Sequence, residues 1–274
     1  MRILITGAGG FIGRHLLSGL KESGVSVFGA TRTPAAPQEG LMACDLGSFQ
    51  AFDELVEGVA PDVIVHAAGS LLGTDPSLAV EGYFNNLLST VNVTRAAVKR
   101  RVGRVIFLST HMVYGDTYHV RAGQEEGGAP ANWYARGKYL CEHLLRDHSE
   151  FVETIVLRLP SVLGREKKRG DLVVDMIRAL RENGTITIFG QGQSRRQFVD
   201  MRDLTAVVRH CAERDMGGRR FLLSPVAGPE IRTIQEIGET VVKVCGGGKV
   251  VFDSDRRDSP DHLIEPDILR AKLG

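Results

Sequence analysis

Along the first 160 or so residues, short runs of large apolar and β-branched side chains alternate with longer stretches in which apolar residues recur every three or four positions. The short runs are RILIT (2–6), VSVFGAT (25–31), DVIVHAA (62–68), RVIFLST (104–110) and TIVLRL (154–159). They are nearly continuous in hydrophobicity, as strands buried on both faces must be. Between them, GRHLLSGLKESG, FQAFDELVEGVA, NNLLSTVNVTRAAVKRRV and YARGKYLCEHLLRDH carry helical periodicity. The alternation predicts five βα units and an α/β fold, a parallel sheet covered by helices. After LRLPSVLG the rhythm changes to a basic loop GREKKRG, a helix LVVDMIRALREN, a short strand TITIFG and less regular elements.

A chain of 274 residues, 43% hydrophobic, can bury a large core. Its 34 Lys and Arg oppose 33 Asp and Glu, so no global field gathers nucleic acid or a membrane surface, and charged ligands must be read locally. Cys44, Cys141, Cys211 and Cys245 form no C-x-x-C pair, which argues against a zinc site, a disulfide framework or any other metal centre and fits a reducing cytoplasm. The N-terminal apolar run is too short for a signal peptide, and no run approaches the roughly 20 residues of a membrane span.

The strongest local signal is GAGGFIG, directly after the first strand. Gly7, Gly10 and Gly13 form G-x-x-G-x-x-G at a strand-to-helix junction, where missing Cβ atoms permit a tight turn and let backbone N–H groups approach a pyrophosphate. The second strand ends in Thr31-Arg32, without the acid that usually holds the ribose 2′-hydroxyl of NAD. A guanidinium there suits a 2′-phosphate, so the reading is NADP, with NAD as the alternative and a solvated Arg32 as the bland one. Farther on, Tyr134 stands four residues before Lys138, which puts phenol and ammonium on one helix face; by itself the spacing suits an ordinary solvated face equally well.

Taken together, TGAGGFIG (6–13), HAAG (66–69), the helix from Asn86 to TRAA, LSTHMVYG (108–115), the Tyr134/Lys138 pair, RLPSVLG and GQGQSRRQFVDMRDL resemble the extended short-chain dehydrogenases/reductases. The resemblance spans nearly the whole chain and looks like the nucleotide-sugar epimerase, dehydratase and reductase branch. It implies a Rossmann-type doubly wound sheet over residues 1–164 and a smaller mixed α/β substrate-binding region over 165–274, from which the segment around 186–215 is a candidate to rejoin the first. It also implies a homodimer paired through two long helices. In that family Thr110 and Tyr134 hold the substrate oxygen, Tyr134 moves the proton, and Lys138 binds the nicotinamide ribose and stabilises phenolate. Bringing a phenol from about 10 to about 7 requires about 4 kcal/mol, which a desolvated ammonium can largely supply. Phe11, Ile12, Ala67 and Ala68 fall on cofactor-binding positions, and Asp45 with Leu46 on an adenine contact, although an Asp before a helix also reads as an N-terminal residue.

The departures narrow the chemistry. Sugar 4,6-dehydratases carry Asp-Glu directly after the catalytic Thr, and here His111 and Met112 stand there. Met moves no proton, so dehydration is not expected; His111 is left as a substrate contact or a second acid. Ser161 replaces an Asn common at the substrate side. Arg196, with Arg256 or Arg257, resembles the pair that holds a nucleotide diphosphate, and Lys167-Lys168-Arg169 reads as a phosphate lid or a solvated loop. Asp203 matches a structural acid of the family. The expected activity is hydride exchange at carbon 4 of a nucleoside diphosphate sugar, leaning to an NADPH-dependent ketoreductase. The alternatives are an NAD-dependent 4-epimerase and, more distantly, a dinucleotide sensor without chemistry.

Overall fold

The structure is a computed structural model. It describes residues 1–273 except 34–39, 71–75, 117, 122, 125–126, 131 and 166–170. Its strands are β1 (Arg2–Thr6), β2 (Ser26–Thr31), β3 (Leu41–Ala43), β4 (Val63–His66), β5 (Arg104–Thr110), β6 (Tyr118–Val120), β7 (Glu153–Leu159), β8 (Ser161–Leu163), β9 (Thr185–Phe189), β10 (Arg195–Asp200), β11 (Phe221–Pro225), β12 (Ile231–Thr233), β13 (Lys249–Asp253) and β14 (His262–Ile264). The helices are α1 (Phe11–Glu22), α2 (Phe49–Val59), α3 (Pro76–Lys99), α4 (Trp133–Asp147), α5 (Leu172–Asn183), α6 (Met201–Glu213), α7 (Ile234–Cys245) and α8 (Asp267–Leu273).

Seven parallel strands form the main sheet in the order β11-β7-β5-β4-β1-β2-β3. Successive residues serve opposite layers, as the two-residue strand period requires. Ile3, Ile5, Ile106 and Ile155 pack with Leu16, Leu20, Leu204 and Val208 of α1 and α6. Leu4, Ile64, Val105, Phe107 and Val156 pack with Phe52, Val56, Val93, Ala97 and Leu145 of α2, α3 and α4. Both faces are dry, which is why the strands read as unbroken apolar runs. The chain winds outward from β1 to β3, returns to β4 beside β1 and winds the other way, so the order reverses between β1 and β4. Ligands of open α/β sheets lie at the carboxyl edge of such a reversal.

Two elements differ from the sequence expectation. The fifth predicted strand, β7, is not followed by a covering helix: the chain leaves the sheet through β8, α5, β9 and β10 and returns as α6 and β11. α6 packs beside α1, where Gly19 leaves room for Thr205; a Cβ on Gly19 would lie 2.9 Å from Thr205 Cγ2. Helix α3 starts at Pro76, ten residues before Asn86. Gly82 interrupts the pattern there, and the apolar residues of the early turns, Val80 and Phe84, face outward. The smaller sheets are β12-β10-β8, β13-β9 and β14-β6. Met176 and Leu180 of α5, Ile186 and Ile188 of β9, and Ile234, Ile237 and Val241 at α7 form a separate core. All four cysteines are free, and among the described residues no helix is long and apolar enough to cross a membrane.

Candidate active site

The carboxyl edge beside the order reversal collects most of the residues singled out above. Gly7 has φ +68°, in the left-handed region, and a Cβ there would lie 2.7 Å from Ala68 Cα. Gly10 N donates to Gly7 O at 2.9 Å, and a Cβ on Gly13 would run into Gly7 O and sit 2.8 Å from Ala8 Cα. Three glycines therefore let strand, turn and helix close on one another. α2, α4, α5, α6 and α7 receive side-chain N-caps from Ser48, Asn132, Asp171, Asp200 and Thr233, whereas Gly10 brings none to α1. The first turn of α1 thus presents backbone donors and the positive end of its dipole to the edge, the arrangement that seats a phosphate. Phe11 and Ile12 lie in that turn, half-buried, and Phe11 reaches across to Gly164 after β8.

A Cβ on Gly9 would lie 2.7 Å from Thr31 Oγ1, so the end of β2 abuts this turn. Arg32 follows, exposed. Asp45 Oδ1 accepts from Gly47 N at 3.0 Å, and Ser48 is the cap of α2. Asp45 is therefore a turn former rather than the helix cap. Leu46 is half-buried, with its carbonyl accepting from Asn92 Nδ2 at 2.8 Å.

A buried chain of hydrogen bonds sets the adjoining segment. Ala68 N–H donates to Thr6 Oγ1 at 3.3 Å, and Thr90 Oγ1 donates to Asn86 O at 2.8 Å. His66 lies between the threonines, Nδ1 at 2.7 Å from Thr6 Oγ1 and Nε2 at 3.1 Å from Thr90 Oγ1. Because the Thr90 proton is committed to Asn86 O, Nε2 carries the imidazole proton and Nδ1 accepts from Thr6. Burial, followed by the Lys138 charge, depresses His66 to about 3, so the ring is neutral. Asn86 then grips Ser70 through both its backbone groups. His66 and Asn86 mark motif ends in the sequence; that they act as one chain depends on β1, β4 and α3 meeting.

Thr110 ends β5 and caps the 3-10 turn His111–Tyr114, accepting from Met112 N at 3.2 Å. Tyr134 is in the first turn of α4, with Lys138 one turn on. Lys138 is 4% exposed; its Nζ donates to Leu108 O at 2.9 Å and lies 4.5 Å from the Phe107 ring centroid. Burial lowers Lys138 to about 8 and raises Tyr134 to about 12. The expected low phenol is thus absent from the free protein, because desolvation dominates at Tyr134 while the ammonium is directed at the Leu108 carbonyl. His111 is also corrected: it is 3% exposed, packs near Tyr114 and Tyr118, and is depressed by burial to about 3. It is therefore no acid near neutral pH, and its buried side chain offers little surface to a substrate. Its Nε2 has no hydrogen-bond partner among the described residues.

The second region brings Arg196 and Arg257 to one cavity of about 900 Å³, lined also by Leu172, Ile188, Phe189 and Ser259. Arg196 is held by Ser259 Oγ at 2.7 Å and by the Pro260 carbonyl at 2.5 Å. Arg256 lies over the Phe189 ring at 4.3 Å, with Asp253 at 3.6 Å, while Arg257 lines the cavity itself. Ser161 is exposed at the start of β8, beside Phe198 of β10. Lys167, Lys168 and Arg169 lie outside the described residues.

Sequence reading passed over Ser109, Glu142 and Arg158. Arg158, 1% exposed near the C-terminal end of β7, donates from Nη2 to Glu142 Oε2 at 2.6 Å and from Nε to both Glu142 oxygens at 3.1 and 3.2 Å. Ser109 Oγ donates to Glu142 Oε1. A charged residue inside the apolar run TIVLRL was the available signal. Among the described residues no group of three or more His, Cys, Asp and Glu could hold a metal ion.

Comparison with known proteins agrees with this fold. The chain is 25% identical to a UDP-glucose 4-epimerase of Azospirillum brasilense, across 100% of this chain and 86% of that protein. It is 29% identical to a GDP-6-deoxy-D-talose 4-dehydrogenase of Aggregatibacter actinomycetemcomitans, across 76% and 69%. The fold superimposes on the Bordetella bronchiseptica enzyme WbmG, solved with NAD and UDP, with a TM-score of 0.83 at 23% identity, covering 100% of this chain and 89% of that one. Residues 3–223 match the NAD dependent epimerase/dehydratase family, and the chain belongs to that family of extended short-chain dehydrogenases/reductases.

Proposed function

We propose that this enzyme exchanges hydride at carbon 4 of a nucleoside diphosphate sugar, in the direction of NADPH-dependent reduction of a 4-keto sugar. The observation that carries the reading is the site itself: Tyr134 and Lys138 on α4, Thr110 at the end of β5, and a large cavity in the second region lined by Arg196 and Arg257. The residues at the β1 edge fit a dinucleotide, since the missing Cβ atoms of Gly7 and Gly13 let the turn close tightly on Ala68 and Ala8, and α1 starts without a side-chain cap. Gly7 to Gly13 would hold its pyrophosphate, Ala67 and Ala68 would flank it, Asp45 and Leu46 would meet the adenine, and Arg32 would meet a 2′-phosphate. When bound, the nicotinamide supplies or receives the hydride.

The protein's part is proton transfer and orientation. At neutral pH a phenol at about 12 keeps its proton, which suits Tyr134 to donate to a developing alkoxide at carbon 4. Thr110 would hold the same oxygen and fix the transfer distance. Lys138, charged below about 8, would bind the nicotinamide ribose and stabilise the phenolate left behind. Arg196 and Arg257 would compensate the diphosphate as it leaves water.

A second reading, an NAD-dependent 4-epimerase, is supported by the Azospirillum relative and by the NAD in WbmG. One experiment separates the two: mass identification of any co-purifying cofactor, followed by assay on UDP-, GDP- and dTDP-linked hexoses and 4-ketohexoses. An empty or NADP-loaded protein that oxidises NADPH with a 4-keto sugar supports reduction. Tightly held NAD with interconversion of 4-epimers overturns it.

A homodimer is part of the proposal. Val80, Phe84 and Leu88 of α3 and Leu140 of α4 are 42–60% exposed, an apolar stripe on the two long helices that a second copy would cover. Analytical ultracentrifugation reading twice 29.9 kDa supports it; a single 29.9 kDa species overturns it.

A further inference from the structure

We propose that Glu142 and Arg158 are a positioning pair for Thr110, Tyr134 and Lys138: Glu142 places a fixed negative charge one helical turn from Lys138, and Arg158 locks that charge to the elements around the site. The inference rests on the catalytic reading of those three residues.

The geometry reaches in several directions from one buried cation. From β7, Arg158 grips Glu142 of α4 with a fork of bonds, donates from Nη1 to the Gly127 carbonyl at 2.8 Å, and stacks its guanidinium 4.6 Å from the Tyr114 ring centroid at the end of the 3-10 turn. Glu142 accepts from Ser109, the residue before Thr110. Thus β5, the turn that Thr110 caps, α4 and the chain at Gly127 all meet at one ion pair. Sliding α4 along β5 would break these bonds together. Such a network defines a single geometry more strongly than apolar packing does, because a misplaced partner leaves a buried charge unsatisfied.

The charges around Lys138 give the pair its second role. On α4 its titratable neighbours are Tyr134, Cys141 and Glu142, and from β4 His66; β5 offers only the Leu108 carbonyl and the Phe107 ring. Burial raises the Cys141 thiol and the Tyr134 phenol, and His66 is neutral. Of these groups Glu142 is the carboxylate, ion-paired with Arg158 at 2.6 Å. It opposes the desolvation that pulls Lys138 down, and so keeps the ammonium present to bind a ribose and stabilise phenolate.

Two variants test this: Glu142→Gln, and the double variant Glu142→Leu/Arg158→Met, which removes both charges and should stay folded where a single deletion strands a buried ion. The first readout needs no substrate. In protein labelled with 13Cε-lysine, the Lys138 resonance is assigned by its loss in Lys138→Met, and its midpoint is followed with pH. A fall of about one pH unit in Glu142→Gln supports the pair, with a smaller fall in the double variant because the Arg158 cation leaves with the anion; an unmoved midpoint in folded Glu142→Gln overturns its electrostatic role. The second readout is turnover on the nucleotide sugar found above: the double variant should lose at least about tenfold in kcat with cofactor Kd changed by less than about threefold. Full turnover in a folded double variant overturns the positioning role. A moved midpoint in protein that turns over no nucleotide sugar at all, wild type included, instead refutes the catalytic reading and leaves the Glu142–Lys138 coupling standing.

Discussion

At the β1 edge the candidate binding surface is main chain: a turn closed by Gly7, Gly10 and Gly13, the uncapped start of α1 and the Ala67–Gly69 segment pressed against it. At the β10 side it is side chain: Arg196 held by Ser259 and Pro260, and Arg257 exposed beyond the turn that follows β13. The difference teaches how each half can vary. The first is set by strands buried on both faces, so a change there disturbs folding and binding together. The second sits over a smaller core, and its cations can be exchanged for others without disturbing the main sheet. On the proposed function, one half is a general dinucleotide seat and the other the place where substrates are chosen.

The largest expected effect lies between the halves. Tyr134→Phe should lower turnover by about 10²–10⁴-fold while leaving cofactor affinity nearly intact, and Lys138→Met should damage both. Isothermal titration with the cofactor beside steady-state rates reads the split, and near-full turnover in Tyr134→Phe would return the pair to a structural face.

Next in size is acid stability. His66 is ordinarily near 6.5 and is held near 3 in the fold, so below 6.5 the unfolded chain takes a proton that the folded chain refuses. Its stabilising contribution is complete above 6.5 and falls as pH drops toward 3, at about 1.4 kcal/mol per pH unit. Urea unfolding between pH 7.5 and 4.5 should show that slope reduced in His66→Gln. An unchanged slope would mean that the first half does not depend on a neutral imidazole.

The substitutions at the two ends sharpen the comparison itself. Arg32→Asp removes a 2′-phosphate partner and adds a ribose-hydroxyl acceptor; a charged hydrogen bond of about 1.5–3 kcal/mol implies about a tenfold to hundredfold loss of NADP affinity. Equal affinity for NAD and NADP before and after would refute that reading of β2. Smallest is Arg196→Ala, expected to raise KM for the nucleotide sugar by about tenfold with little change in NADP affinity, since that guanidinium is already engaged by Ser259 and Pro260. Calorimetry with each ligand separately checks it, and weakened NADP with unaltered sugar binding would reverse the roles of the halves.

Five strands, four helices of the main layers and α5 were legible as runs and periodicities, because strands buried on both faces and amphipathic helices carry their environment in their spacing. So was the glycine turn, where the chain demands missing Cβ atoms at fixed intervals. β3, three residues long, and β11, which joins the sheet only after a long excursion, have too little local pattern to announce themselves. The tertiary structure alone decided the charges: that Lys138 is buried on a carbonyl, that Tyr134 keeps its proton, that His66 is a neutral link and His111 is shut away, and that Arg158 on β7 finds Glu142 on α4. Each of those depends on desolvation and on partners distant in the chain, and neither quantity is a property of neighbouring residues.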